Sequence, residues 1–274
     1  MLRPVPRSAL RLLVGKQYFT YKRYLKWLLD GVAYARQQSI ESLPHRVFRH
    51  ETPLLRRLKD VDMELQYGKI TNLRLAIPKL DGIIIRPGET FSYWRLIGKP
   101  TRRKGYTEGM VLFYGGFKRG IGGGLCQLSN LIYWMTLHTP LSVTERHRHS
   151  YDVFPDAART QPFGSGATCA YNYLDLQIYN PTNQPYQLRL NLTSEHLVGE
   201  WRSVAEPAYR YYVYETEHRM AQQFWGGYTR HNCIRRKIYN MDNELVQDEP
   251  ITENHALMMY QPFLAEGNGN KEGG

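Results

Sequence analysis

Apolar positions fall at helical spacing in one central stretch of the chain and at two-residue spacing over much of its C-terminal half. Leu128, Leu131, Ile132 and Met135 mark one face of a helix that begins after Gly122-Gly123-Gly124, because three successive glycines do not make a helix interior. Cys126 falls in the first turn of that helix, off the apolar face, with Ser129, Asn130 and Tyr133 as helical neighbours. Beyond Pro140 the period shortens. Leu174, Leu176 and Ile178 alternate, Asn180-Pro181-Thr182-Asn183-Gln184-Pro185 supplies turn residues, and Tyr186, Leu188, Leu190 and Leu192 alternate again, which predicts a hairpin. Further strands are predicted around 197–204, 209–215, 233–239 and 256–260, with breaks at Gly226-Gly227 and 240–243.

Upstream of the glycines, Ile83-Ile84-Ile85 reads as a short strand running into the turn Arg86-Pro87-Gly88-Glu89. Residues 8–60 read as helical, broken at Pro44 and Pro53, with Leu54, Leu55, Leu58 and Val61 suggesting another short amphipathic piece. The expected class is therefore α+β. It comprises a basic helical N-terminal region (1–60), a domain (61–265) whose central helix packs on an antiparallel sheet, and a tail (266–274) too poor in apolar residues to pack.

Charge changes the picture at one end. Of the formal +11 carried by 274 residues, +9 lies in residues 1–60, where thirteen Lys and Arg face four acids. Tyr18, Phe19, Tyr21, Tyr24, Leu25, Trp27 and Leu28 interleave there with Lys16, Lys22, Arg23 and Lys26, which predicts a basic amphipathic helix. A solvated basic face and peripheral contact of residues 8–36 with an anionic membrane both fit that pattern. Nucleic acid is disfavoured, because no groove-reading motif, zinc finger or aromatic RNA-binding signature accompanies the charge. No apolar run approaches the roughly 18–20 residues that span a bilayer, and the N-terminus lacks the apolar core of a secretory signal. The expected location is the cytoplasm or the inner face of the membrane.

The central block carries the candidate chemistry. Only three cysteines occur, at 126, 169 and 233, which argues against a disulfide framework and leaves Cys126 a free thiol. A helix N-terminus favours the thiolate, so Cys126 is the candidate nucleophile, His149 or His147 in Glu145-Arg146-His147-Arg148-His149-Ser150 the base, and Asp175 the orienting group, with Asp152 and Asn172 as rivals. Backbone N–H groups of Gly122, Gly123, Gly124 and Gln127 would supply an oxyanion site. That order of parts matches papain-like and transglutaminase-like arrangements and implies acyl transfer or amide hydrolysis through a thioester. The same residues also read as a small apolar side chain beside two solvated histidines. Zinc on Cys126, His147 and His149 is a third option, unsupported by any Cys-x-x-Cys or His-Glu-x-x-His spacing, and the glycine run lacks a P-loop ending. Neither a metal nor a cofactor is expected.

Three blocks together, Gly88-Glu89-Thr90-Phe91-Ser92, Gly122 through Ser129 with Leu131-Ile132-Tyr133, and Glu145 through Ser150, resemble the VanW family. The resemblance runs from about Leu73 through Asp175 to the Asn180-Pro181 turn. It implies an accessory role in glycopeptide resistance and cell-wall precursor metabolism, with a peptidoglycan precursor or a cell-wall enzyme as partner. Either a cysteine-dependent acyltransferase or amidase, or a non-catalytic binding module at the inner membrane surface, would satisfy that role.

Overall fold

The computed structural model describes residues 7–55, 63–153 and 161–262. In chain order the elements are α1 (Ala9–Leu29), β1 (His45–Pro53), α2 (Met63–Ala76), β2 (Ile84–Ile85), β3 (Thr90–Ser92), α3 (Tyr93–Ile97), β4 (Glu108–Phe113), β5 (Gly116–Ile121) and α4 (Cys126–Thr136). They continue with β6 (Ser142–Glu145), β7 (Tyr151–Asp152), β8 (Gln177–Tyr179), β9 (Tyr186–Leu192), β10 (His196–Ser203), β11 (Tyr209–Gln222), β12 (Tyr228–Asn240) and β13 (Leu245–Met258). The strands build an antiparallel sheet β1-β10-β9-β2, a small sheet β3-β8-β6, the hairpin β4-β5, and a sheet β11-β12-β13 to which β7 adds in parallel. This is an α+β fold.

The apolar face of α4 behaves as its spacing requires. Leu128, Leu131 and Met135 are fully buried, and Leu131 and Met135 lie against β10, where Gly199 makes the approach possible: a Cβ there would stand 2.7 Å from the Met135 methyl carbon. Trp201 on the same strand is also fully buried, and its indole N–H donates to the Thr136 hydroxyl at 3.2 Å. The central helix thus rests on an antiparallel sheet.

Three expectations are corrected. Residues 45–53 are strand, not helix. They pair with β10 along their whole length, so the main sheet takes in part of the segment assigned to the basic N-terminal region. Second, 174–178 and 186–192 do not form a hairpin. β8 pairs with β3 and β6, whereas β9 pairs with β10 and β2, and the Asn180–Pro185 turn passes the chain from one sheet to the other. Third, His147 and His149 lie in coil between β6 and β7, so they do not share the face of a strand. The helical expectation holds for 9–29, where the Ser8 side chain accepts from the Arg11 N–H at 3.4 Å and caps α1. Of the expected amphipathic piece, Leu54 and Leu55 are not helical but follow directly on β1, while Leu58 and Val61, like the tail 266–274, fall outside the described residues. No helix of the described residues is long and apolar enough to cross a membrane.

Candidate functional site

The glycine run is a tight junction. Gly122 and Gly124 take φ of 77° and 90°, which side-chain-bearing residues rarely adopt. Gly123 is required for a different reason: its backbone lies directly on that of Gly109 in β4, and a Cβ on either would occupy the other's main chain. The buried Asn72 of α2 clamps this junction. Its amide donates to the Gly123 and Thr107 carbonyls at 2.9 and 3.1 Å and accepts the Thr107 N–H at 2.9 Å. As a result the expected oxyanion donors are already engaged. The N–H groups of Gly122, Gly123, Gly124 and Gln127 donate to the carbonyls of Thr107, Gly120, Met110 and Gly124, each at 3.0 Å. The Gln127 side chain ties α4 to the end of β1 through Thr52 and Pro53, both at 2.9 Å.

Cys126 does open α4, as its position after the glycines predicts. Its thiol donates to the Cys169 carbonyl at 3.5 Å, and burial pushes the thiol up, opposite to the direction expected of an activated cysteine. Desolvation outweighs the hydrogen bond to the Cys169 carbonyl. Among the described residues neither histidine hydrogen-bonds the thiol. His147 Nε2 meets Glu145 at 3.1 Å, while His149 lines a cavity of about 60 Å³ with Leu112, Phe113 and Tyr151, where burial lowers its pKa.

The Asp175 carboxylate bonds to neither histidine among the described residues. It is fully buried and accepts from the Ser92 hydroxyl at 2.6 Å and the Trp94 N–H at 2.9 Å, so it braces the start of α3, whose cap is Ser92 itself. Its rival Asp152 accepts from Arg230 at 3.3 Å and the Tyr260 hydroxyl at 2.9 Å. Asn172 is fully buried, with no hydrogen-bond partner for either side-chain polar atom among the described residues. Cys126, His147 and His149 do not come together as a metal-ligand set among the described residues. A cavity of about 560 Å³ opens elsewhere, lined by Phe48, His138, Arg210, Tyr211 and Met241 among others, and none of the candidate residues lines it.

What the structure gathers is a charge centre on Glu145. Arg23 of α1 grips both carboxylate oxygens at 2.6 and 2.5 Å, and the same guanidinium reaches the Asn172 and Tyr173 carbonyls at 3.1 Å. His147 and the Asp175 N–H, each at 3.1 Å, also meet the carboxylate, and Lys26 of the same helix stands 3.9 Å from it. Burial alone would raise the Glu145 pKa, but the His147 hydrogen bond, the hydrogen bonds and charge of Arg23 and the Asp175 N–H together bring it down to about 2. The motif containing Glu145 was legible, but its role was not. Arg23 carried a signal, because it sits four residues from both Phe19 and Trp27 on one stripe of α1, and a charge amid a docking face needs a buried partner.

A family model described as VanW like protein matches residues 68–202. That span contains the glycine junction, Cys126, Glu145, His147 and Asp175, and leaves α1 and the β11–β13 sheet outside it. The chain is 30% identical over 237 residues to the vancomycin B-type resistance protein VanW of Enterococcus faecalis, covering 86% of each chain. It is also 30% identical over 118 residues to the uncharacterized protein YoaR of Bacillus subtilis, covering 43% of this chain and 37% of that one. No solved structure gives a significant match. The similarity to the enterococcal protein reaches well beyond the matched central span and covers most of both chains, so this chain belongs to the VanW family.

Proposed function

We propose that this chain is a non-catalytic accessory protein of glycopeptide resistance, binding a peptidoglycan precursor or a partner enzyme beside an anionic membrane surface. The observation that carries this reading is the state of Cys126. A thiol tied to a carbonyl, raised in pKa, without a base in hydrogen-bond reach among the described residues and flanked by spent N–H donors suits packing better than acyl transfer. The glycopeptide context rests on similarity to the enterococcal resistance protein across most of both chains.

Alkylation of Cys126, followed by mass spectrometry against pH, tests the first half. Labelling is expected to be slow near neutral pH and unchanged by His147→Ala or His149→Ala. Fast neutral labelling that slows in one histidine variant would instead establish an activated pair and favour an acyltransferase or amidase.

α1 supports the membrane half of the reading. Leu10, Leu13, Leu25 and Leu28 are exposed on the same helix as the exposed Arg11, Lys16, Lys22 and Lys26, the mixture that interfacial helices present. The chain is expected to sediment with anionic phospholipid vesicles and not with neutral ones, and the double variant Leu13→Asp with Leu28→Asp should stay in the supernatant. Failure to pellet with anionic vesicles, or pelleting unaffected by the double variant, would remove the membrane from the proposal.

A further inference from the structure

The β11–β13 sheet lies beyond the span that the family model matches. On one of its faces Cys233 and His231 project from β12, two residues apart, while the buried residues Arg230, Asn232 and Ile234 alternate on the other. Glu217 joins them from β11. Between Thr216 and Arg219 the register slips, so that two residues of β11 oppose Asn232 alone, and Glu217 takes φ of 56° in this bulge. A left-handed glutamate costs roughly 1–2 kcal/mol, and here the cost brings its carboxylate to the other two side chains.

We propose that Glu217, His231 and Cys233 form a binding site for a zinc ion. The three donor atoms make a nearly equilateral triangle: Cys233 Sγ to Glu217 Oε2 is 3.5 Å, His231 Nε2 to the same oxygen is 3.8 Å, and Cys233 Sγ to His231 Nε2 is 3.9 Å. A point equidistant from all three lies about 2.2 Å from each, inside the range of zinc bonds to sulfur, nitrogen and oxygen, about 2.0–2.3 Å. One thiolate, one imidazole and one carboxylate are ligand types that zinc accepts together, and softer than calcium or magnesium would take.

The neighbouring strand offers further donors. β13 sets His255 opposite His231 and Glu253 opposite Cys233, and the two imidazole rings stand 6.2 Å apart between centroids. Neither His255 nor Glu253 belongs to the close cluster of donor atoms as the side chains stand, so water would take the fourth position. The Cys233 thiol, the Glu217 carboxylate and the neighbouring Glu253 set potential anions side by side on this face, which a cation would draw together, and zinc binding would release the thiol proton.

The test uses the full chain, stripped of metal, with Co²⁺ as a spectroscopic stand-in for Zn²⁺. A sulfur-to-cobalt charge-transfer band is expected on titration, displaced by Zn²⁺ and absent in Cys233→Ser. Cys126→Ser should keep the band. Glu217→Gln and His231→Gln, with circular dichroism unchanged to show that they are folded, should each weaken Zn²⁺ by at least about tenfold, the lower bound for groups that merely support a ligand. If wild type gives no thiolate band, or the band survives in Cys233→Ser, the site does not exist and the Cys233–Glu217 contact is a hydrogen bond alone.

Discussion

Gly123→Ala is expected to cost about 3 kcal/mol or more of unfolding free energy, at the upper end of what an added methyl does in a packed interior. The cause is contact. Gly123 rests backbone to backbone on Gly109, so an added Cβ must separate main chains that Asn72 holds together with three hydrogen bonds. Gly88→Ala is the internal comparison. Gly88 has φ of 79° but open space where its Cβ would go, so its replacement should cost only the left-handed penalty of roughly 1–2 kcal/mol. Urea unfolding of both variants decides the matter, and a Gly123 variant no less stable than the Gly88 variant would show that the junction can open without cost.

Arg23→Ala is expected to destabilise by about 3–5 kcal/mol, the usual cost of removing one member of a buried pair. The Glu145 carboxylate would remain largely buried among groups arranged for a guanidinium. Part of this can appear as detachment of α1 in place of global unfolding, so tryptic cleavage within residues 9–29 should accelerate alongside any fall in midpoint. The pH dependence gives an independent readout. Glu145 has its pKa lowered from 4.5 to about 2 in the folded chain. Its contribution to stability is therefore complete above pH 4.5 and is lost as pH falls toward 2. Without Arg23 the folded pKa moves back up, and the loss of stability across that window should become shallower. Unchanged cleavage together with an unchanged acid limb would mean that the pair does not hold α1.

The sequence makes elements legible where side-chain period follows burial and hides them where it does not. The α4 stripe is such a legible case, since each of Leu128, Leu131, Ile132 and Met135 is buried. β1 was hidden because its register slips between Arg46 and Phe48, which breaks the two-residue alternation that would have announced a strand. Alternation in 174–178 and 186–192 gave the right conformation but could not name partners, because period is a property of one strand and pairing of two. The site was legible to the same extent. The position of Cys126 at the start of α4 follows from the glycines, whereas the partners of His147 and Asp175 depend on β6 and β8 lying side by side. Arg23 and Glu145 meet across 122 positions of sequence, a distance over which no local pattern reaches.

The bulge at Glu217 and His218 has a bearing on solubility. β11 is the outermost strand of its sheet, fourteen residues long, and one side of its main chain lies at the open end of the ladder. A straight strand of that length invites a second molecule to continue the sheet. Here the kink falls near the middle, and Arg210, Glu215 and Arg219 distribute charge on either side of it. An incoming strand would meet two short, differently directed stretches in place of one long template. The distortion that positions the glutamate therefore also guards this edge against aggregation.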